Sequence, residues 1–160
     1  MKTVNNFLQQ KDFFKIRNLL VLEPFFPYFI SIDNKNSRDD DTFLLQHSFF
    51  ENGEPNSKWF DSHIKIIIDY LDCKTLLRVR AVNYPINKEV QKTSFHTDFN
   101  IPHQTAILYL NTNNGYTEFE NGDCCSCVAN RILMFDGLKK HRAVTQTDTK
   151  LRTLVNINYI

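Results

Sequence analysis

The sequence contains no apolar run of membrane-spanning length, and its first residues, MKTVNNFLQQ, lack the apolar core of a signal peptide. It also lacks any Asn-x-Ser/Thr glycosylation site. These absences argue against a protein anchored by apolar helices and against a typical secreted glycoprotein. We therefore expect a soluble protein of the cytoplasm.

An excess of charge of one sign is also missing, because 19 basic and 18 acidic residues leave a formal net charge of +1. This balance gives no general attraction for nucleic acid or for an anionic membrane, so we expect neither as a partner. Only four glycines and five prolines occur, and no linker rich in either divides the 160 residues. The length fits one domain, and 42% hydrophobic residues indicate a globular chain with a substantial core.

Cysteine is limited to Cys73, Cys124, Cys125 and Cys127. A structural zinc site normally needs two separated pairs of ligands, and here the one distant cysteine stands alone. We therefore expect reduced thiols without a structural metal, although the CCSC cluster has the residue types of a zinc knuckle.

Hydrophobic spacing divides the chain into two parts. In the first part it predicts helices over residues 8–20 and 58–72 and strands over 26–33 and 42–50. From residue 74 onward, seven short strands are predicted, over 75–84, 93–99, 105–111, 115–120, 131–137, 141–146 and 150–160. The sequence thus predicts one domain, residues 1–160, that is mainly β with N-terminal helices. A mixed helical layer would cover about 1–73, and a jelly-roll core about 74–160.

The stretch SFHTDF, residues 94–99, carries the first candidate ligands. Side chains alternate along a strand, so His96 and Asp98 would project from one face and Thr97 from the other. An imidazole and a carboxylate on one face supply two thirds of the two-histidine, one-carboxylate site of non-haem Fe(II) oxygenases. His-x-Asp often arises by chance, so a second histidine from another strand is required.

Four other histidines could complete such a site. His103 follows Pro102 in a predicted loop, so we expect a loop or rim histidine that binds no metal. His47 and His63 lie in the N-terminal strand and helix, and we expect structural or solvated roles for them. His141 opens a predicted strand late in the chain and is therefore the best candidate for the third ligand.

Arg152 lies in the last predicted strand, after a plausible turn. If the last two strands form a hairpin turning at residues 147–148, His141 faces Leu154 and Arg152 faces Ala143. His141 and Arg152 would then share one sheet face, about 6–7 Å apart. A short dicarboxylate could chelate a metal at one end and bind the guanidinium bidentately at the other.

His96-x-Asp98, followed by His141 and then Arg152, resembles the Fe(II)/2-oxoglutarate dioxygenases, particularly their prolyl-4-hydroxylase-like branch. The likeness covers roughly residues 76–160 and includes the stretches NYP, ILYLN, GYTEF and LMFDG in the family's order. It implies a double-stranded β-helix (jelly-roll) core. It also implies that His96, Asp98 and His141 bind Fe(II) and that Arg152 binds the far carboxylate of 2-oxoglutarate.

The same resemblance implies that Tyr84 and Tyr109 line the pocket of this co-substrate. A core position with a hydrogen-bonded hydroxyl is the alternative for each tyrosine. If Arg152 does not bind the far carboxylate, Arg80 and Arg142 are the next candidates.

The activity that the resemblance implies is hydroxylation of a substrate C–H bond with release of succinate and carbon dioxide. Fe(II) would be the cofactor and 2-oxoglutarate and O2 the co-substrates, with ascorbate left open as a further cofactor. The substrate would be a peptide, an amino acid or another small molecule, chosen by loops near residues 34–41, 51–57 and 85–93. The alternative is a non-catalytic jelly-roll binding or scaffold protein that retains a metal site.

Overall fold

The computed structural model describes residues 1–31 and 43–160, which form two facing β-sheets with helices outside the larger one. Within these residues, helices α1 (Gln10–Arg17) and α2 (Lys65–Leu71) adjoin the π-helical segments Asn18–Leu22 and Phe60–Ile64. The strands are β1 (Lys2–Val4), β2 (Phe29–Ser31), β3 (Leu44–Glu51), β4 (Glu54–Pro55), β5 (Leu76–Pro85), β6 (Gln104–Tyr109), β7 (Tyr116–Phe119), β8 (Cys124–Ser126), β9 (Arg131–Asp136), β10 (His141–Val144) and β11 (Leu151–Tyr159).

The larger sheet is antiparallel and has the order β1-β9-β6-β11-β5-β3-β2, with β4 paired to the end of β3. Across β11 and β5, Arg152 pairs with Tyr84 and Asn156 pairs with Arg80. Directly paired residues point to the same face of a sheet, and this face is the one turned toward the smaller sheet.

The smaller sheet has the order β10-β7-β8, and residues 92–96 run beside β10 through two isolated bridges. Apolar side chains fill part of the space between the sheets. They include Ile107 and Leu154 from the larger sheet and Phe119 and Cys125 from the smaller one. Two facing antiparallel sheets of this kind form the double-stranded β-helix that the sequence predicts.

The other face of the larger sheet is covered by the helices. Ile16, Ile64 and Ile67 are fully buried in one cluster with Val79 and Val155 of the sheet. The helices therefore bury the sheet's outer apolar face and leave its inner face free to form a site. No helix among the described residues has both the length and the apolar character needed to cross a membrane.

The N-terminal part of the chain does more than form a helical layer. The strands predicted over 26–33 and 42–50 correspond to the shorter β2 and to β3, and β3 pairs with β5 of the core. At the opposite edge, β1 pairs with β9. The N-terminal residues thus extend the larger sheet on both sides, while the predicted polar loop 34–41 lies outside the described residues.

The strand predicted over residues 93–99 is wrong. Only Lys92 and His96 form bridges, to Val144 and His141, and the chain then leaves the smaller sheet. Two residues beyond His96, Asp98 accepts hydrogen bonds from Arg78 and Asn158 of the larger sheet.

The predicted hairpin between the last two strands is also wrong. β10 pairs with β7 and β11 pairs with β5 and β6, so His141 and Arg152 lie on opposite sheets. Buried Gln146 lies in the connection and donates from Nε2 to the carbonyl oxygen of Tyr84 at 2.9 Å. This bond ties the connection to the larger sheet. His141 and Arg152 nevertheless face the same interior space.

Candidate metal centre

His96, Asp98 and His141 converge at one side of the space between the sheets. Each offers one ligand atom, and these three atoms lie within 4.8 Å of one another. Nε2 of His141 lies 4.0 Å from Oδ2 of Asp98. No other group of three or more His, Cys, Asp or Glu side chains converges in this way among residues 1–31 and 43–160. Two imidazoles and one carboxylate form a donor set that fits Fe(II).

The backbone brings the two histidines together. The N–H groups of His96 and His141 each donate to the other's carbonyl oxygen at 3.0 Å, and their ring centroids are 4.7 Å apart. Asp98 follows two residues later, where the chain crosses toward the larger sheet. The bridge to β10 and the departure from it therefore place all three side chains together.

A backbone carbonyl orients each imidazole. Nδ1 of His96 donates to the Ser94 carbonyl at 3.1 Å, and Nδ1 of His141 donates to the Lys139 carbonyl at 3.2 Å. Because a carbonyl can only accept, each Nδ1 carries the proton and each Nε2 presents a lone pair. Hydrogen bonds of this kind fix the tautomer that a metal-binding histidine needs.

Three side chains of the larger sheet hold the Asp98 carboxylate. Arg78 donates to Oδ1 at 2.8 Å, while Asn158 and Asn156 donate to Oδ2 at 2.9 and 3.3 Å. Burial alone would raise the pKa of Asp98, but the charges of Arg78 and His141 and the Asn158 hydrogen bond outweigh it and lower this pKa. Asp98 is therefore ionised at neutral pH, as a metal ligand must be.

The environment of His141 also favours the form that binds metal. Its side chain is buried, and burial lowers its pKa more than the nearby Asp98 carboxylate raises it. The imidazole is therefore neutral at neutral pH, and its Nε2 lone pair is available.

Asn158→Ala is expected to weaken Mn(II) binding by about 10- to 100-fold, because the loss of an outer partner leaves a ligand poorly oriented. Calorimetric titration of the metal-free protein with Mn(II) measures the change. Asn83→Ala is the matched control: Asn83 is also buried in the larger sheet, but it points to the opposite face from Val82 and Tyr84. Equal Mn(II) affinity in Asn158→Ala and wild type would contradict this role.

His103 lies apart from the three converging side chains. Its Nδ1 donates to the Ile101 carbonyl at 2.7 Å, and its Nε2 lies 3.3 Å from the Thr105 hydroxyl. His103 lies in the loop before β6, as expected, but it is not a rim histidine, because the residue is only 4% exposed and its ring packs against Gly137. Both ring nitrogens already have partners within the fold.

The remaining histidines lie in the N-terminal part. His47 is buried, with its ring nitrogens 2.8 Å from the Pro27 carbonyl and 2.8 Å from the Ser57 hydroxyl. His63 lies beside Ser62 in the π-helical segment before α2, and its Nδ1 is 2.8 Å from the serine hydroxyl. Both contacts are of the structural or surface kind that the sequence predicts.

Gly137→Ala is expected to destabilise the fold by roughly 1–3 kcal/mol, the usual cost of overpacking an interior. A Cβ atom at position 137 would overlap the imidazole of His103, which is held at both nitrogens. Urea unfolding followed by circular dichroism measures the loss. Leu138→Ala, at an exposed neighbouring position, is the control and should change stability by no more than about 0.5 kcal/mol. Unchanged stability of Gly137→Ala would show that His103 is not held as tightly as its hydrogen bonds indicate.

Arg152 is the largest fully buried side chain of residues 1–31 and 43–160, with 1% of its surface exposed. Its Nε donates to Sγ of Cys127 at 2.9 Å and its Nη2 to the Thr117 hydroxyl at 3.2 Å. Burial raises the pKa of Cys127, so the thiol is neutral, and Arg152 Nη1 has no hydrogen-bond partner among the described residues. A buried cation bonded only to neutral groups is costly unless an anion joins it.

The two predicted pocket tyrosines take different positions. Tyr84 lines the cavity, with its ring 5.0 Å from the guanidinium carbon of Arg152. The Tyr109 hydroxyl lies 2.8 Å from that of Thr117, and Tyr109 is fully buried and is not one of the residues that line the cavity. Burial raises the pKa of both phenols, so both are neutral at neutral pH.

Sequence reasoning missed Cys127, Arg78 and Asn158, which hold the predicted site residues in place. The cysteine cluster alternates, with Cys124 exposed and Cys125 and Cys127 turned inward. Cys127 thereby reaches Arg152. The signal that could have found Arg78 and Asn158 is period-two spacing, since they share faces with Tyr84 on β5 and with Arg152 on β11.

The three converging side chains and Arg152 line one cavity of about 420 Å³. Apolar side chains of Leu44, Val82, Ile107 and Leu154 form part of its wall. Its size falls in the range of small-molecule sites. The fold and the site together define a double-stranded β-helix protein with a candidate mononuclear metal centre and a buried arginine in the same cavity.

No protein-family model matches the chain, and no curated protein matches its sequence. Solved structures do match its fold. A prolyl-4-hydroxylase of Pseudomonas putida aligns with a TM-score of 0.68 at 12% identity, over 99% of this chain and 91% of that one. A 2OG-Fe(II) oxygenase family member from Burkholderia pseudomallei aligns at 0.69 with 8% identity, over 98% and 84% of the two chains.

A prolyl hydroxylase of Trichoplax adhaerens, solved in complex with a peptide fragment of the hypoxia inducible factor, aligns at a TM-score of 0.65. The identity is 13%, over 99% of this chain and 82% of that chain. Identities this low show the fold alone. The double-stranded β-helix predicted from the sequence is therefore confirmed, and it is the fold of 2-oxoglutarate oxygenases.

Proposed function

We propose that this chain is an Fe(II)- and 2-oxoglutarate-dependent dioxygenase that hydroxylates a C–H bond and releases succinate and carbon dioxide. The observation that carries the proposal is the cavity shared by three converging ligand side chains and Arg152. The triad fits the metal. The buried guanidinium, whose Nη1 has no partner among the described residues, fits the far carboxylate of 2-oxoglutarate. We further propose that residues 1–160 act as one domain.

The triad's part is to hold the metal in one orientation. His96 and His141 would each bind through Nε2, because a carbonyl fixes the proton on each Nδ1. Asp98 would bind through a carboxylate that Arg78 and two asparagines keep ionised and in place. Bound there, Fe(II) would supply the redox chemistry that joins oxygen activation to decarboxylation of 2-oxoglutarate.

The part of Arg152 is to bind and orient the co-substrate. Cys127 and Thr117 hold two of its nitrogens, which leaves the edge that carries Nη1 for a carboxylate. Tyr84 packs against the guanidinium and shields it from water. Apolar residues such as Val82 and Leu154 would exclude further water and strengthen the ion pair.

The substrate would be a peptide, an amino acid or another small molecule. A peptide is consistent with the Trichoplax adhaerens prolyl hydroxylase, which was solved with a peptide fragment. The reaction also needs O2, with ascorbate as a candidate accessory cofactor. We propose a cytoplasmic location, in line with the composition.

The test is release of carbon dioxide from 2-oxoglutarate labelled at its C1 carboxylate. Release should require Fe(II) and O2 and should stop in His141→Ala. Peptides and small metabolites can then be screened for those that stimulate succinate formation. If the protein binds metal and 2-oxoglutarate but releases no carbon dioxide with any of them, the alternative of a non-catalytic binding protein is favoured instead.

A further inference from the structure

The cavity wall carries more positive charge than binding of the proposed metal and co-substrate requires. Among the residues that the structure describes, five cationic side chains line the cavity, and Asp98 is the one carboxylate beside them. The cations are Arg78, Arg80, Lys92, Arg142 and Arg152. A doubly charged metal and a doubly charged 2-oxoglutarate would cancel each other. Glu51 and Glu118, which bind cations of the wall from outside the lining, leave five cations against three carboxylates among the described residues, so this part of the loaded cavity would keep an excess of positive charge.

Most of these cations already have a task. Arg78 holds Asp98, and Arg152 is assigned to 2-oxoglutarate. Lys92 and Arg142 both bind Glu118, which lies between two inward-facing residues of β7 and so points away from the interior. Arg80 is left as the inward-facing cation without a task in the proposed reaction.

Arg80 is only partly satisfied by its neighbours. Nη2 binds Glu51 at 2.6 Å and Nη1 donates to Gln46 at 3.3 Å, but its buried Nε has no partner among the described residues. Asn156, its directly paired neighbour on β11, also has a buried Oδ1 without a partner there. Buried polar atoms normally have partners, so the polar groups of this part of the wall are incompletely satisfied by the described residues.

The same pair lies next to the metal centre. Asn156 donates from Nδ2 to Asp98, and Arg80 lies beside Asn156 on the inner face of the sheet. A ligand group bound at Arg80 would therefore lie within a small molecule's length of the metal.

We propose that the substrate carries an anionic group, a carboxylate or a phosphate, that binds Arg80 while the metal faces the carbon to be oxidised. A guanidinium fits both anions, and a cavity of about 420 Å³ that also takes 2-oxoglutarate leaves room for a small substrate. This inference rests on the proposed function and adds to it the class of substrate.

The test uses the Mn(II) protein saturated with 2-oxoglutarate without oxygen, so that the Arg152 subsite is filled and no turnover occurs. Three probes of similar size, butyrate, propyl phosphate and butyramide, are titrated one at a time. Relaxation of their protons by the paramagnetic Mn(II) reports binding near the metal. At least one anion should bind about tenfold or more tightly than the neutral amide, the effect of one charge-assisted hydrogen bond. Which anion is preferred separates carboxylate from phosphate.

Three variants test whether the anion preference depends on Arg80. Arg80→Gln should lose the anion preference, whereas Arg17→Gln, which removes the same charge from α1, should keep it. Glu51→Gln frees Arg80 from its carboxylate and should strengthen anion binding, which provides a second test if Arg80→Gln does not fold. A wild type that binds Mn(II) and 2-oxoglutarate but shows no anion preference would overturn this inference alone. Failure to bind Mn(II) or 2-oxoglutarate would instead overturn the proposed function.

Discussion

His141→Ala is expected to weaken Mn(II) binding by more than about 100-fold, because loss of an outer partner alone costs about 10- to 100-fold. The substitution removes one of the three converging ligands and leaves His96 and Asp98. It also removes a buried side chain whose Nε2 lies 4.0 Å from Asp98 Oδ2, so the metal would lose a ligand from its enclosed side. Mn(II) titration by calorimetry, with circular dichroism to verify the fold, measures the effect.

His103→Ala is the matched control, since it removes a histidine of the same 4% exposure from outside the triad. It should lower stability through the lost Ile101 and Thr105 contacts and leave Mn(II) affinity nearly intact. If His103→Ala weakened Mn(II) binding as strongly as His141→Ala does, the assignment of ligands would be wrong.

Arg152→Ala is expected to weaken 2-oxoglutarate binding by about 30-fold or more while Mn(II) affinity changes little. Removing one partner of a buried charge pair costs roughly 2–5 kcal/mol, and about 1.4 kcal/mol is a factor of ten. Arg152 is suited to such a pair because it is buried and binds only the neutral Cys127 and Thr117 groups. Calorimetric titration of the Mn(II) protein with 2-oxoglutarate measures the loss.

Arg152→Lys separates the effect of charge from the effect of shape. It should recover part of the affinity, because an ammonium restores the charge but not the planar fork. Arg142→Ala is the control, since Arg142 also lines the cavity but binds Glu118. Equal 2-oxoglutarate affinity in wild type and Arg152→Ala would mean that another residue binds the far carboxylate, and Arg80 would be the next candidate.

The sequence predicted the candidate site better than the connections that build it. His96, Asp98, His141 and Arg152 were all expected around one site, and the structure brings them to one cavity. The strand pairing that brings them together differs from the prediction, because β10 and β11 lie in opposite sheets and do not pair with each other. Short strands carry no signal for their partner in a neighbouring sheet, so a hairpin was the simplest assumption.

Some of the contacts that hold the site could not be predicted for a physical reason. The carbonyls of Ser94 and Lys139 orient the histidines. Every residue has a backbone carbonyl, so the residue type does not indicate which carbonyl accepts the hydrogen bond. The strand predicted over 93–99 failed similarly, since its alternation ends where Asp98 binds Arg78 and Asn158. Those bonds depend on tertiary packing, which local patterns do not record.

The fold class was predictable because period-two alternation and frequent turns are local properties. The extension of the larger sheet by β1, β2 and β3 was not, because strands distant in sequence pair through packing. The inner faces of β5 and β11 did carry a usable signal. Polar residues at alternating positions, such as Arg78 and Arg80, interrupt otherwise apolar strands and mark the cavity.

The most direct measurement is a crystal structure of the protein with Mn(II) and 2-oxoglutarate, in which anomalous scattering locates the metal. The proposed function predicts one Mn(II) bound by His96 Nε2, His141 Nε2 and a carboxylate oxygen of Asp98, at about 2.0–2.2 Å by analogy with the ligand distances of Zn(II). The far carboxylate of 2-oxoglutarate should contact Arg152. An anomalous peak on other side chains, or 2-oxoglutarate bound away from Arg152, would contradict the proposed site.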